Sequence, residues 1–135
     1  MNAPFVHEVR VYWEDTDAGG VVYYANYLKF MERARTEWLR SLGFEQQVLR
    51  ETYGVVFVVR RVEIDYLAPA RLDDRLVVTS TPLEMTRTCL TVSQEIAADN
   101  PLTRAKVQIV CIDPERFKPV KIPESLLEKM IPRER

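Results

Sequence analysis

Helical periodicity runs over one long stretch of this chain, and nearly everything after it reads as strand. From about Tyr24 to Leu42 the residues Tyr27, Met31, Ala34, Trp38 and Leu42 recur at spacings of three and four, forming a single apolar stripe. Lys29, Arg33, Thr36 and Arg40 line the opposite side, and Gly43 follows where a helix commonly ends on a left-handed residue. A lone amphipathic helix must bury its stripe on something else, and the remaining segments supply a sheet. Val6 to Trp13 alternates, with Val9, Val11 and Trp13 set against Arg10 and Tyr12. Val55 to Tyr66 puts Val62, Ile64 and Tyr66 on one face and Arg61, Glu63 and Asp65 on the other. Arg75–Thr81, closed by Pro82, then Arg87–Ala98 and Thr103–Asp113 complete the strands, with Asp99-Asn100-Pro101 as a turn and Pro114 as a stop. The tail from Pro123 suggests a short helix. One strand, one long helix and four strands predict an α+β domain: a five-stranded antiparallel sheet curled around one central helix. Its open edges predict pairing with a second copy.

At 135 residues the chain fits a single domain spanning 1–135, with a core of its own. A net charge of −1 argues against a protein that coats nucleic acid by electrostatics. The aliphatic run Val55 to Val59 is too short for a membrane span, and the first residues lack the basic and apolar regions of a signal peptide, so a cytoplasmic location is expected. Cys89 and Cys111 fall inside expected strands without CxxC spacing and read as buried small apolar residues. His7 is the sole histidine, which excludes an HExxH zinc site and leaves a Ser-His-Asp triad one possible base. Any chemistry therefore falls to carboxylates and backbone.

Those carboxylates are concentrated just ahead of the helix, in YWEDTDAGGVVYYANYLKFMERAR, residues 12–35. Asp15 and Asp17 occupy a short loop, Gly19-Gly20 follow, and the helix begins. N–H groups at a helix start have no partner within the helix, carry partial positive charge and can hold a developing oxyanion. Such a segment offers a base or nucleophile beside an electrophile-stabilising site, the two needs of acyl transfer. Asp17 reads either as that catalytic carboxylate or as a turn residue, and Asp15 as a bonded support for the loop. A divalent-metal DxD site would need further oxygen ligands that nothing nearby supplies. Gly19 and Gly20 provide backbone freedom and close approach. Arg35 lies only about 40° from the centre of the apolar stripe at 100° per residue. Glu32, one turn earlier, is its expected partner, either as a structural pair at a subunit seam or in shaping the site.

The pattern Tyr12-x-x-Asp15-x-Asp17-x-x-Gly20-x-Val22, then Tyr23-x-x-Asn26-Tyr27-x-x-Phe30-x-Glu32-x-x-Arg35, resembles the hotdog-fold acyl-CoA thioesterases. Within them it is similar to the branch of the 4-hydroxybenzoyl-CoA thioesterase family associated with the Tol-Pal cell-envelope system. Phe57-Val58-Val59-Arg60-Arg61, Asp65-Tyr66, Ala68 to Asp74 and Val110-Cys111-Ile112-Asp113 match that branch in order and spacing, so the likeness covers residues 6–125. The resemblance implies hydrolysis of acyl-CoA to free acid and coenzyme A, with no metal and no bound cofactor. It assigns the catalytic carboxylate to Asp17 and the carbonyl-binding N–H to Tyr24. Gly20 stands where many members carry His, and Tyr24 where others of the branch do; a backbone N–H is indifferent to that change. The lack of a motif His counts against a dehydratase. Arg87 resembles the basic position that meets the coenzyme, with Arg60, Arg61 and Arg71 as secondary candidates, and Tyr23, Tyr27 and Phe30 would line the acyl tunnel. A homodimer or homotetramer with sites between subunits is implied. Two alternatives keep the fold: an acyl-thioester binding module without turnover, and an enzyme taking acyl chains from acyl carrier protein.

Overall fold

The structure is a computed structural model and describes residues 4–130. The helix α1 spans Asn26–Ser41 and buries Tyr27, Met31, Ala34 and Trp38, as its spacing requires, with Phe30 and Leu39 widening the stripe. Gly43 adopts φ +87° and ends it. The Gly43 N–H donates to the Arg40 carbonyl at 3.0 Å and the Phe44 N–H to that of Leu39 at 2.8 Å, a pair of bonds that satisfies carbonyls left over at a helix end.

The strands are β1 (Phe5–Arg10), β2 (Val56–Tyr66), β3 (Arg75–Met85), β4 (Cys89–Ala97), β5 (Pro101–Asp113) and the two-residue β6 (Lys118–Pro119). They pair antiparallel in the order β1-β3-β4-β5-β2, with β6 added to β5, so the five expected strands carry one short extra member. Registers such as Val78↔Ile96, Val92↔Val107 and Ile64↔Ala105 align the helix-facing residues across the sheet. Leu76, Val78, Leu90, Val92, Ile96, Val107 and Ile109 form one core with the α1 stripe. This is an α+β hotdog fold, a curled antiparallel sheet around a central helix.

Several expected boundaries move. β1 stops at Arg10 rather than Trp13, because its partner β3 begins at Arg75, opposite Arg10. Beyond it Trp13–Asp15 form a single 3-10 turn, and Trp13 is 80% exposed. Pro82 does not end its strand. Among the described residues β1 pairs with β3 only as far as Ser80, so Pro82 has no described neighbour on that side, and on the β4 side a bulge follows between Pro82 and Glu84. Arg87 does not open β4; it sits in the bend before Cys89, where its carbonyl accepts the Ile122 N–H at 2.8 Å.

A short helix α2 (Gln46–Val48) runs into a π turn, Leu49–Tyr53, that carries the chain to β2; no periodicity announces it. The helix α3 (Glu124–Met130) fulfils the expectation for the tail, and its Lys129 Nζ donates to the Leu42 carbonyl at 3.0 Å. Both cysteines are buried.

Candidate active site

The loop before α1 is folded back on itself. Thr16 and Val22 bridge antiparallel, the Asp17 N–H donates to the Val21 carbonyl at 2.9 Å, and Gly20 takes φ +81° at the bend. Val21 bridges Arg71, and the Val22 N–H donates to the Ala70 carbonyl at 2.9 Å, which docks the loop on the segment before β3. Asp15 is buried: its Oδ2 accepts the Tyr12 N–H at 2.8 Å and its carbonyl accepts the Tyr23 N–H at 2.9 Å. It supports the loop, as expected. The Asp17 side chain is exposed in the single chain, with Oδ1 accepting the Gly19 N–H at 2.8 Å. A Cβ on Gly19 would stand 3.2 Å from that oxygen, so the close approach expected of this glycine is to the carboxylate itself.

Tyr24 follows directly. No acceptor among the described residues takes its N–H, and α1 has no side-chain cap. The Asn26 and Leu28 N–H groups donate to the Tyr23 and Ala25 carbonyls, while the Tyr24 N–H is left available just ahead of the helix. The Tyr24 carbonyl accepts the Tyr66 hydroxyl at 3.1 Å, and the Tyr24 and Tyr66 rings meet edge to face with centroids 6.1 Å apart. Tyr27 lies 5.7 Å from Tyr66 by ring centroid. Tyr27 itself is buried in the core, where its hydroxyl accepts the Ala70 N–H at 3.0 Å. Burial raises its pKa, partly offset by that hydrogen bond, with the Asp74 charge adding to the rise. Burial also raises Tyr66, with Tyr24 and Tyr27 contributing. Phe30 is fully buried and Tyr23 is 46% exposed.

The basic candidates lie elsewhere. Arg60 Nη1 reaches Cys89 Sγ at 3.7 Å, and Arg87 precedes Cys89 by two residues. Arg60 is six residues before Tyr66 on β2, about 20 Å along an extended strand. Within one chain the structure therefore gathers Tyr24 and Tyr27 at the Tyr66 end of β2, while Arg60 stands at the middle of that strand against Cys89. β2 is an edge strand with no neighbour on its outer side among the described residues.

Arg35 does not take Glu32 as its hydrogen-bond partner. Its Nη1 donates to Gln94 Oε1 at 2.8 Å, while Glu32 Oε2 accepts the Thr36 hydroxyl. Burial lowers the Arg35 pKa and the nearby Glu32 charge partly restores it. Sequence reasoning gave no role to Asn26, although it stands in the motif: its Nδ2 donates to the Asp15 carbonyl at 2.9 Å. A polar amide on the buried flank of the first helical turn was the available signal. Among the described residues no group of three or more His, Cys, Asp and Glu side chains is placed to hold a metal ion, and no helix is long and apolar enough to cross a membrane.

The model of the thioesterase superfamily matches residues 19–105. The acyl-CoA thioester hydrolase YbgC of Escherichia coli O6:H1 is 50% identical over 121 residues, covering 88% of this chain and 90% of that protein. The acyl-CoA thioesterase YbgC of Haemophilus influenzae is 46% identical over 123 residues, 90% of each chain. Among solved structures, a probable thioesterase from Bartonella henselae superposes with a TM-score of 0.85 at 37% identity, covering 90% of this chain and all of that one. The motif, the curled sheet and these relatives agree: the chain belongs to the thioesterase superfamily and is a hotdog-fold thioester hydrolase.

Proposed function

We propose that this enzyme hydrolyses acyl-CoA to a free acid and coenzyme A, using Asp17 as nucleophile or general base and the Tyr24 N–H as donor to the carbonyl oxygen. The observation that carries the reading is the pinned loop, which leads from an exposed carboxylate, held by the Gly19 N–H through one oxygen, to a Tyr24 N–H that no described residue accepts, just ahead of α1. The names of the YbgC relatives supply the substrate class. In the nucleophilic route the carboxylate attacks the thioester carbon and the coenzyme thiolate leaves, taking a proton from solvent. Water then hydrolyses the mixed anhydride. In the general-base route Asp17 takes the proton of a water that attacks directly. Neither route calls on a metal or a bound cofactor. General-base assistance contributes roughly 10²–10⁴ in rate, and an oxyanion donor a comparable factor.

The working unit in this reading is at least a homodimer in the cytoplasm, joined through β2. Two-fold pairing of antiparallel β2 edges sets the Tyr66 end of one copy, beside the α1 start, against the Val56 end of the other. That arrangement brings Arg60 and Arg87 to the coenzyme phosphates over a neighbouring Asp17, and covers the exposed carboxylate. Gly20 lets the thioester pass close to main chain, and Tyr27 backs the acyl group.

A panel of acyl-CoAs with free thiol monitored tests this. Saturable thiol release supports it. Affinity without thiol makes the chain a binding module, and release from acyl carrier protein but not from coenzyme A moves the substrate class.

A further inference from the structure

Across the interface between α1 and the sheet, apolar contacts dominate, and these are non-directional. Gln94 adds a directional contact to them. It is fully buried at the middle of β4, on the face beneath α1. Its Nε2 donates to the Met31 carbonyl at 3.0 Å and to the Ser80 hydroxyl at 2.9 Å, and its Oε1 accepts Arg35 Nη1 at 2.8 Å. Met31 and Arg35 are one helical turn apart, so α1 grips the amide at two successive turns while Ser80 anchors it to β3. Both amide hydrogens are used. Sliding α1 along its axis would strand buried donors and acceptors, which costs more than making those bonds returns.

We propose that Gln94 is a positioning residue, whose two-point hold on α1 fixes the axial placement of the helix and hence of the Tyr24 N–H relative to Asp17. The inference rests on the oxyanion role given above to Tyr24. A misplacement on the order of 1 Å at a reacting centre costs about 10²-fold in rate, so a small slip suffices.

The test compares Gln94→Leu, Gln94→Glu and Ser80→Ala with the unaltered protein, by steady-state kinetics and by hydrogen exchange over residues 23–31. Gln94→Leu removes both holds; Gln94→Glu keeps an acceptor for Arg35 but loses the donor to Met31, and stands in if the leucine variant fails to fold. The expected result is a fall in kcat of about 10–100-fold with KM within about threefold, and faster exchange at the start of α1. Ser80→Ala frees the amide from β3 but spares both bonds to α1, so it should lower the melting temperature and change kcat and exchange less than Gln94→Leu does. Loss of packing alone would lower the melting temperature while kcat per folded enzyme stayed constant. Folded Gln94 variants with unaltered kcat and exchange overturn the proposal. If the unaltered protein releases no thiol, the proposed reaction fails, and the exchange comparison alone decides the hold on α1.

Discussion

The Asn26 side-chain amide donates to the Asp15 carbonyl at 2.9 Å, fastening the first turn of α1 to the loop that carries Asp17. The same carbonyl receives the Tyr23 N–H, so one buried acceptor holds both the approach to the helix and its beginning. Asn26→Ala should cost about 1–3 kcal/mol of stability, the range for disrupting a buried hydrogen bond. It should lower kcat more than it raises KM, because the loop loses its tether. Urea unfolding with steady-state kinetics measures both; a stability loss with unchanged kcat would make the tether irrelevant to turnover.

Asp17→Asn keeps an oxygen that can accept the Gly19 N–H, so the loop should hold and the melting temperature should stay close to that of the parent. Turnover should fall by about 10²–10⁴, the range for a lost general base. Thiol release at saturating acyl-CoA reads this. Undiminished turnover would remove Asp17 from the mechanism.

Sites shared between subunits predict complementation between defective chains. Arg60→Ala/Arg87→Ala should raise KM for acyl-CoA, while Asp17→Asn removes kcat. If the two groups meet only across subunits, refolding the variants together at equal amounts should restore about a quarter of the sites, since half the dimers are mixed and half their sites intact. A mixture no more active than its parts would place each site within a single chain.

Gly43→Ala should destabilise the fold by about 1–2 kcal/mol, the cost of placing a side chain in a left-handed backbone conformation. The added methyl would meet Lys129 Nζ at 3.8 Å, an ordinary contact, so the strain is the backbone's own. Turnover of the folded enzyme should not change, because Gly43 ends α1 at the opposite pole from Tyr24. Chemical denaturation beside kinetics checks the pair of outcomes.

Burial pushes the Cys111 thiol from an ordinary 9.0 up to about 11. As pH rises, the unfolded chain therefore gives up this proton before the folded one does. The stability so contributed is complete below pH 9 and is lost as pH climbs towards 11. Cys111→Ala should flatten that alkaline decline, whatever it does to stability at neutral pH. Urea midpoints taken across that window would show it; parallel curves for the two proteins would assign the decline to other groups.

Much of this protein is local, and local physics is legible in a sequence. The α1 stripe and its stop at Gly43 follow from helical geometry and from the one residue type at ease at φ +87°. The tight loop at Asp17 follows in the same way, from two glycines doing different jobs: Gly20 turns the backbone and Gly19 leaves room for the carboxylate. Periodicity also gave the core-facing residues Val9 and Val11 at the first strand and Val62 and Ile64 in β2. It misled at Trp13, because alternation records which way side chains point and not whether a partner strand is still alongside. It misled at Pro82 for the matching reason: whether a missing donor matters depends on a neighbour more than 70 residues earlier in the chain. Arg35 found Gln94, 59 residues away, instead of Glu32 on its own helix. Thus the chain by itself determined most of the elements and singled out the candidate residues of the site. Tertiary structure alone decided their partners and left β2 as an open edge, because pairing energies depend on which distant segments share a buried space.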